Sequence, residues 1–195
     1  MKNFRSIVVV VAAIILVVAW GAGIYNGLVS SQEKVEGQWA QVENVYQRRA
    51  DLIPNLVATV KGYAEHERET LEAVINARSK ATQTTIDPTN LNEQTMAQFQ
   101  EAQGQLSSAL SRLMVVVERY PDLKANLNFL ELQSQLEGTE NRIAVERGRF
   151  NDTAREYNTL IRRFPRNIVA SLFGFDRKPY FAAQEGAATA PKVEF

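Results

Sequence analysis

The sequence has no cysteine, one histidine and only six prolines in 195 residues, and its basic and acidic side chains balance at 22 each. Each shortage removes a class of protein. Without cysteine there is no disulfide framework, no thiolate metal site and no cysteine nucleophile. A single histidine, His66, supplies neither an HExxH motif nor any two-histidine metal site within one chain. Zero net charge gives no bulk attraction for nucleic acid, and the signs alternate along the chain as they do on solvated helix faces. Gly and Pro are sparse and strand-like alternation is missing, which leaves an all-α protein.

One hydrophobic run stands out. No charge occurs between Arg5 and Glu33, and Ile7–Ile24 is an apolar run of 18 residues. That is close to the roughly 20 that cross a bilayer core as helix, and longer than the 7–15 or so of a cleaved signal. Trp20 and Tyr25 at its far end suit a membrane interface. Residues 1–25 are therefore expected to be an uncleaved anchor, touching membrane lipid through residues 7–24. Lys2 and Arg5 precede the span, while Glu33, Lys34 and Glu36 follow it. The positive-inside rule then favours a cytoplasmic N-terminus, a single pass through the inner or plasma membrane, and a bundle outside.

Beyond the anchor, apolar positions step by three and four through Val35, Trp39, Val42, Tyr46, Arg49, Ile53, Leu56, Val60, Tyr63, Glu67, Thr70, Val74 and Ala77. This coiled-coil-like stripe predicts a first long helix over about 26–80. Asp87-Pro88 marks a loop, and Asn90 with Glu93 resembles a capping box. A second stripe runs from Met96 through Phe99, Gln103, Leu106, Leu110, Leu113 and Val117 to Tyr120, where Pro121 ends it. A third helix is predicted from about Leu123 to Arg163, with Ile143, Arg147, Phe150, Ala154, Tyr157, Ile161 and Phe164 on one face. Pro165 stops it. RNIVASLFGF reads as a short fourth helix ending at Gly174, either packed over the end of the bundle or laid on a membrane or partner. Residues 176–195 read as a disordered tail.

The expected fold is all-α: an antiparallel up–down–up bundle of three long helices and a short C-terminal helix, after an N-terminal transmembrane helix. A first helix of roughly 80 Å outruns a second of roughly 45 Å. Residues 26–47 are thus expected to form a stalk continuous with the first helix, and residues 48–175 the bundle. Val35, Trp39, Val42 and Tyr46 would then form a stripe without an intrachain partner, pointing to a homo-oligomer or an envelope protein partner.

The stretch QRRADLIPNLVATVKGYAEHE concentrates the unusual residues. Arg48, Arg49 and Asp51, with Pro54 and Asn55, could form an anion- or partner-binding patch. The plainer reading gives Arg49 a partly buried ion pair, with Asp122 as the acid, or a cap on the second helix's last carbonyls near Tyr120, since arginine is the usual cation for such pairs. Pro54 removes the hydrogen bond to the Ala50 carbonyl, and the unbroken stripe favours one continuous, kinked helix. Glu140, Asn141 and Arg142 could build a polar layer with Tyr63, Asn76 or Arg78. Carboxylate-bridged di-iron bundles need Glu-x-x-His on two helices, which one histidine cannot provide without a symmetric oligomer. No catalytic, metal or cofactor-binding residue is expected.

Six segments in order, YNGLV, QRRADLIPNLVATVKGYAEHE, YPDLKAN, LEGTENRIAVERGRFN, YNTLIRRFP and FGF, resemble the signature of the LemA family and cover residues 25–175. The resemblance implies a membrane-anchored antiparallel helical bundle and supplies no reaction. The expected function is a non-enzymatic envelope scaffold or adaptor. The alternatives are an oligomer-completed metal-dependent enzyme around His66, an accessory of a membrane enzyme, or an envelope sensor hinged at Pro54.

Overall fold

The computed structural model describes residues 2–182, and all regular structure among them is helical. Helix α1, Lys2–Lys61, is one unbroken helix of 60 residues, about 90 Å long at 1.5 Å per residue. From Ile7 to Trp20 its apolar side chains are uncovered by the rest of the chain. A helix satisfies its own backbone hydrogen bonds, so this stretch is suited to hydrocarbon and unsuited to water.

From Leu28 onward α1 enters a bundle. It ends at Lys61, and a turn over residues 62–67 sends α2, Arg68–Gln83, back along it. The single helix expected to residue 80 is therefore two antiparallel helices. Gly62 weakens the helix by about 1 kcal/mol relative to alanine, and the stripe loses its apolar members at Glu67 and Thr70. Burying Ala64 in the turn and Leu71 at the start of α2 is the better use of the chain. After the loop at Pro88–Asn90, α3, Glu93–Val117, runs forward again, capped by a reciprocal pair between Asn92 and Thr95 rather than by Asn90 and Glu93. The short α4, Pro121–Lys124, turns the chain into α5, Leu127–Arg162, whose cap is Asn126. The YPDLKAN turn docks on the far end of α1: Asn126 donates to the Tyr63 hydroxyl at 2.9 Å, and Tyr120 donates to Glu67 at 3.1 Å. It does not reach RRADLIPN, and Asp122 is exposed there, far along α1 from Arg49.

Pro54 lies inside α1 and is exposed. The carbonyl it orphans is Ala50's, and Arg78 of α2 donates to that oxygen through Nε at 2.7 Å. A second helix thus supplies the bond the proline cannot make. Arg78→Met is expected to cost about 1–3 kcal/mol, the range for an unsatisfied buried acceptor. In Pro54→Ala, which restores an amide to Ala50, the same change should cost less. A four-member cycle of urea midpoints measures that coupling.

The expected stalk does not exist. With 36 residues against 25 in α3, α5 is longer by roughly 16 Å, and it runs back along α1 towards the anchor. Val35, Trp39, Val42 and Tyr46 are all buried in one apolar cluster with Phe99, Phe150, Ala154, Tyr157 and Phe181. The stripe that suggested self-association is covered within the chain.

Helix α6, Arg166–Phe173, folds across the anchor-proximal end and stops at Gly174, whose φ of +73° is the left-handed conformation that favours glycine at a helix end. Residues 178–182, expected within a disordered tail, instead lie extended along α5. Asn158 both donates to the Lys178 carbonyl at 2.8 Å and accepts its N–H at 2.9 Å. Asn151 does the same for Phe181, at 3.1 and 2.8 Å. Two side-chain amides seven residues apart on α5 thus replace a neighbouring strand. The Phe181 ring stacks on Trp39 with centroids 5.9 Å apart. The rest of the expected tail, residues 183–195, lies outside the described residues.

Candidate functional site

The bundle has two apolar clusters, one around Trp39 and one around Ile53, Leu56, Leu106 and Leu113. Arg49 lies between them. It occupies a stripe position of α1, so its side chain must point inward, and the residue is 1% exposed. One guanidinium nitrogen donates to Glu140 of α5 at 2.8 Å and to the Ser107 hydroxyl of α3 at 3.0 Å. The other donates to the Gln103 side-chain oxygen at 2.5 Å. Gln103 in turn donates to the Ala81 carbonyl of α2 at 3.3 Å. The layer therefore joins α1, α2, α3 and α5. Arg49 also lies over the Tyr46 ring, 5.1 Å from its centroid. Burial raises the pKa of the Tyr46 phenol, with Arg147 and Arg49 pulling against it.

Helices α1 and α5, α1 and α2, and α2 and α3 pack closely, whereas the backbone of α3 stays farther from that of α5, as it does from α1. Between α3 and α5 runs an open groove in two joined parts of about 550 and 670 Å³. Both parts share Ser107 and Glu140, and Arg49 lies in the floor of the second. Towards the turn the walls are Leu110, Met114 and Leu136; towards the anchor they are Glu101, Gly104 and Arg147. Arg147 is held in place by donating to the Ala182 carbonyl at 2.8 Å and lying 4.8 Å from the centre of the Phe181 ring.

Of the residues singled out from sequence, the structure brings together Arg49 and Glu140, with Asn141 on the groove wall. Arg48, Asp51, Asn55 and Arg142 are exposed, and Asp51 accepts only from Gln47, one turn away. Tyr63 and Tyr120 belong to the far turn and Trp39 to the core. His66 is exposed in the turn between α1 and α2. Among the described residues no three His, Asp or Glu side chains converge as a metal site would require. Gln103 and Ser107 were missed as partners. The usable signal was Gln103 itself, a polar residue on an apolar stripe like Arg49.

Tyr157 is a second buried polar group, fully enclosed, whose hydroxyl finds no hydrogen-bond partner among the described residues. Burial first, then Asp176 and Glu36, push its pKa up to about 12. An unfolded tyrosine ionises near pH 10 or so. The folded form is favoured fully below that value and loses ground as pH rises from it towards the folded value, by about 1.4 kcal/mol per unit. Tyr157→Phe is expected to stabilise the protein by about 1 kcal/mol at neutral pH. It should also flatten the alkaline decline, measured as urea midpoints at neutral and strongly alkaline pH.

The profile of the LemA family matches residues 38–195. Magnetosome protein MamQ of Magnetospirillum gryphiswaldense is 28% identical, over 80% of this chain and 64% of that protein, so the chain spans a little under two thirds of that relative. Magnetosome protein MamQ 2 of Paramagnetospirillum magneticum is 28% identical over 92% of this chain and 73% of its own length. Protein LemA of Metamycoplasma hominis is 26% identical over 84% of this chain and 71% of its own length.

Proposed function

The chain belongs to the LemA family, and from that premise we propose that it is a non-catalytic adaptor of the bacterial cell envelope, anchored by one membrane span, that binds a protein partner in the groove between α3 and α5. The observation that carries this reading is the open, charged and apolar groove between α3 and α5, beside the pairs α1–α5, α1–α2 and α2–α3, which pack closely. The floor supplies the Glu140 carboxylate, 44% exposed and fixed from beneath by buried Arg49, and Leu110, Met114 and Leu136 line the apolar part. A helical or extended peptide bearing apolar and charged side chains fits that chemistry.

Membrane association rests on the long uncovered apolar part of α1. The cytoplasmic N-terminus and outer bundle are part of the proposal, supported by Lys2 and Arg5 before the span. Protease added to sealed cells or inverted vesicles decides between the two sides.

Photo-cross-linking residues placed at Ser111 and Gln133, facing each other across the groove, test the adaptor reading in the full chain within membranes. Both sites should give the same discrete heterologous adduct, and a control at Arg142 should not. Adducts shared equally by all three sites, or none at either groove site, would sink it. Adducts only to a second copy would assign the groove to self-assembly.

A further inference from the structure

We propose that α6 is a second membrane contact: an interfacial helix that seats the bundle on the anionic surface of the bilayer α1 spans. The run Ile7–Ile24 has 18 residues, or about 27 Å as helix, close to the roughly 30 Å of a hydrocarbon core. Its end therefore lies at the headgroups. Helix α6 is held at that level. Tyr25, one residue past the run, meets Phe173 and Phe175 edge-on at 5.0 and 5.6 Å. Ala170 is buried in the same cluster as Leu28, with Ile24 and Val169 packed against it.

Packing over the end of the bundle occupies the side of α6 that carries Val169, Ala170 and part of Phe173. The outward side is apolar as well. Ile168 and Leu172, spaced by four on α6, are 58% and 76% exposed; Phe164, in the turn just before the helix, is 81% exposed, and Phe173, though it meets Tyr25, is still 58% exposed. Four aromatic or aliphatic side chains on one end of a bundle are costly in water and suited to the acyl boundary. Arg162 and Arg163 precede Phe164, Arg166 opens α6 and Arg177 follows it; all four are exposed and none forms an ion pair among the described residues, and exposed Asp176 is the one acid between residues 162 and 177. Apolar side chains in a segment with this excess of cations match an anionic lipid surface, where each arginine near the headgroups is attracted by the negative surface potential. Continuity with the span settles the occupant, because the bilayer must pass within a turn or two of α6.

The absence of cysteine makes the test direct. Single cysteines at Ile168 and Leu172, with Val115 on α3 as an exposed control, are spin-labelled in the full chain and reconstituted in phosphatidylcholine vesicles with or without phosphatidylglycerol. Collisions with membrane-dissolved oxygen and with a water-soluble nickel complex report depth. With phosphatidylglycerol, the labels at 168 and 172 should favour oxygen and the label at 115 nickel. Omitting the anionic lipid, or combining Arg162→Gln, Arg163→Gln and Arg166→Gln, should shift the seated-to-lifted ratio towards lifted, on the order of 100-fold for three arginines. Circular dichroism of each variant checks folding. Labels at 168 and 172 as open to nickel as that at 115 would overturn the proposal. So would shielding from both reagents, which would mean that protein covers the helix. Oxygen preference unchanged by lipid charge or by the arginine substitutions would overturn its anionic part.

Discussion

Trp39→Ala is expected to cost about 4 kcal/mol, within the range for truncating a large buried aromatic, and to lower Tm by roughly 8–16 °C for a chain of this size. Trp39 is fully buried and heads the largest fully enclosed side chains. Its ring lies edge-on to Phe99 at 5.2 Å and to Phe150 at 5.5 Å, and stacks on Phe181. Those three come from α3, α5 and the extended C-terminal segment, so one truncation removes a contact from each. Aromatic pairs of this kind add about 0.5–1.5 kcal/mol beyond area burial. The second readout is local. Phe181 loses its stacking partner, so trypsin should cut after Arg177 faster in Trp39→Ala than in the wild type at the same temperature. Trp39→Phe should recover part of both effects. An unchanged Tm together with unchanged trypsin resistance would show that the C-terminal segment and the core do not depend on this ring.

Arg49→Ala is expected to cost about 3 kcal/mol, because breaking a buried ion pair leaves other polar groups without partners. Gln103 and Ser107 lose their donor, and the volume of the side chain becomes a hole between the two apolar clusters. Arg49→Met keeps most of the volume without the charge and should recover part of the loss, since apolar replacement of buried ions is often tolerated. Glu140→Gln should be milder still, about 1 kcal/mol or less, because the Glu140 side chain is 44% exposed to the groove and its pairing is screened by water. The ranking is measured by urea midpoints of the three variants. Arg49→Ala as stable as the wild type would mean that the layer does not hold the helices together.

The helical class, the membrane run and the order of elements were legible because each rests on local pattern: three-and-four spacing, a long apolar stretch, and prolines or caps at the breaks. What failed was arithmetic between elements. The stalk was inferred by comparing the first helix with the second, although α5 is the helix that runs beside residues 28–46. The reversal after Lys61 was hidden because Val60, Tyr63, Glu67 and Thr70 keep the spacing across a turn, yet two of those four are polar. The pairing of Arg49 with Glu140 could have been approached by asking which polar residues interrupt apolar stripes. Arg49 and Gln103 both do. Glu140 does not, since it precedes the α5 stripe at Ile143 by one turn. The extended C-terminal segment depends on asparagine side chains two turns apart, a signal without hydrophobic period. The supply of Arg78 to the carbonyl orphaned by Pro54 is a tertiary contact between helices that sequence had joined into one.

The unbroken run of α1 from Lys2 to Lys61 has a mechanical consequence. A helix without an interruption between lipid and bundle acts as a height gauge: each residue added between Trp20 and Ile24 lifts the bundle by about 1.5 Å. Two added turns, about seven residues, would raise α6 by roughly 10 Å, comparable to the whole depth to which an interfacial helix sinks. The length of the span thus sets the clearance between the bilayer and the groove.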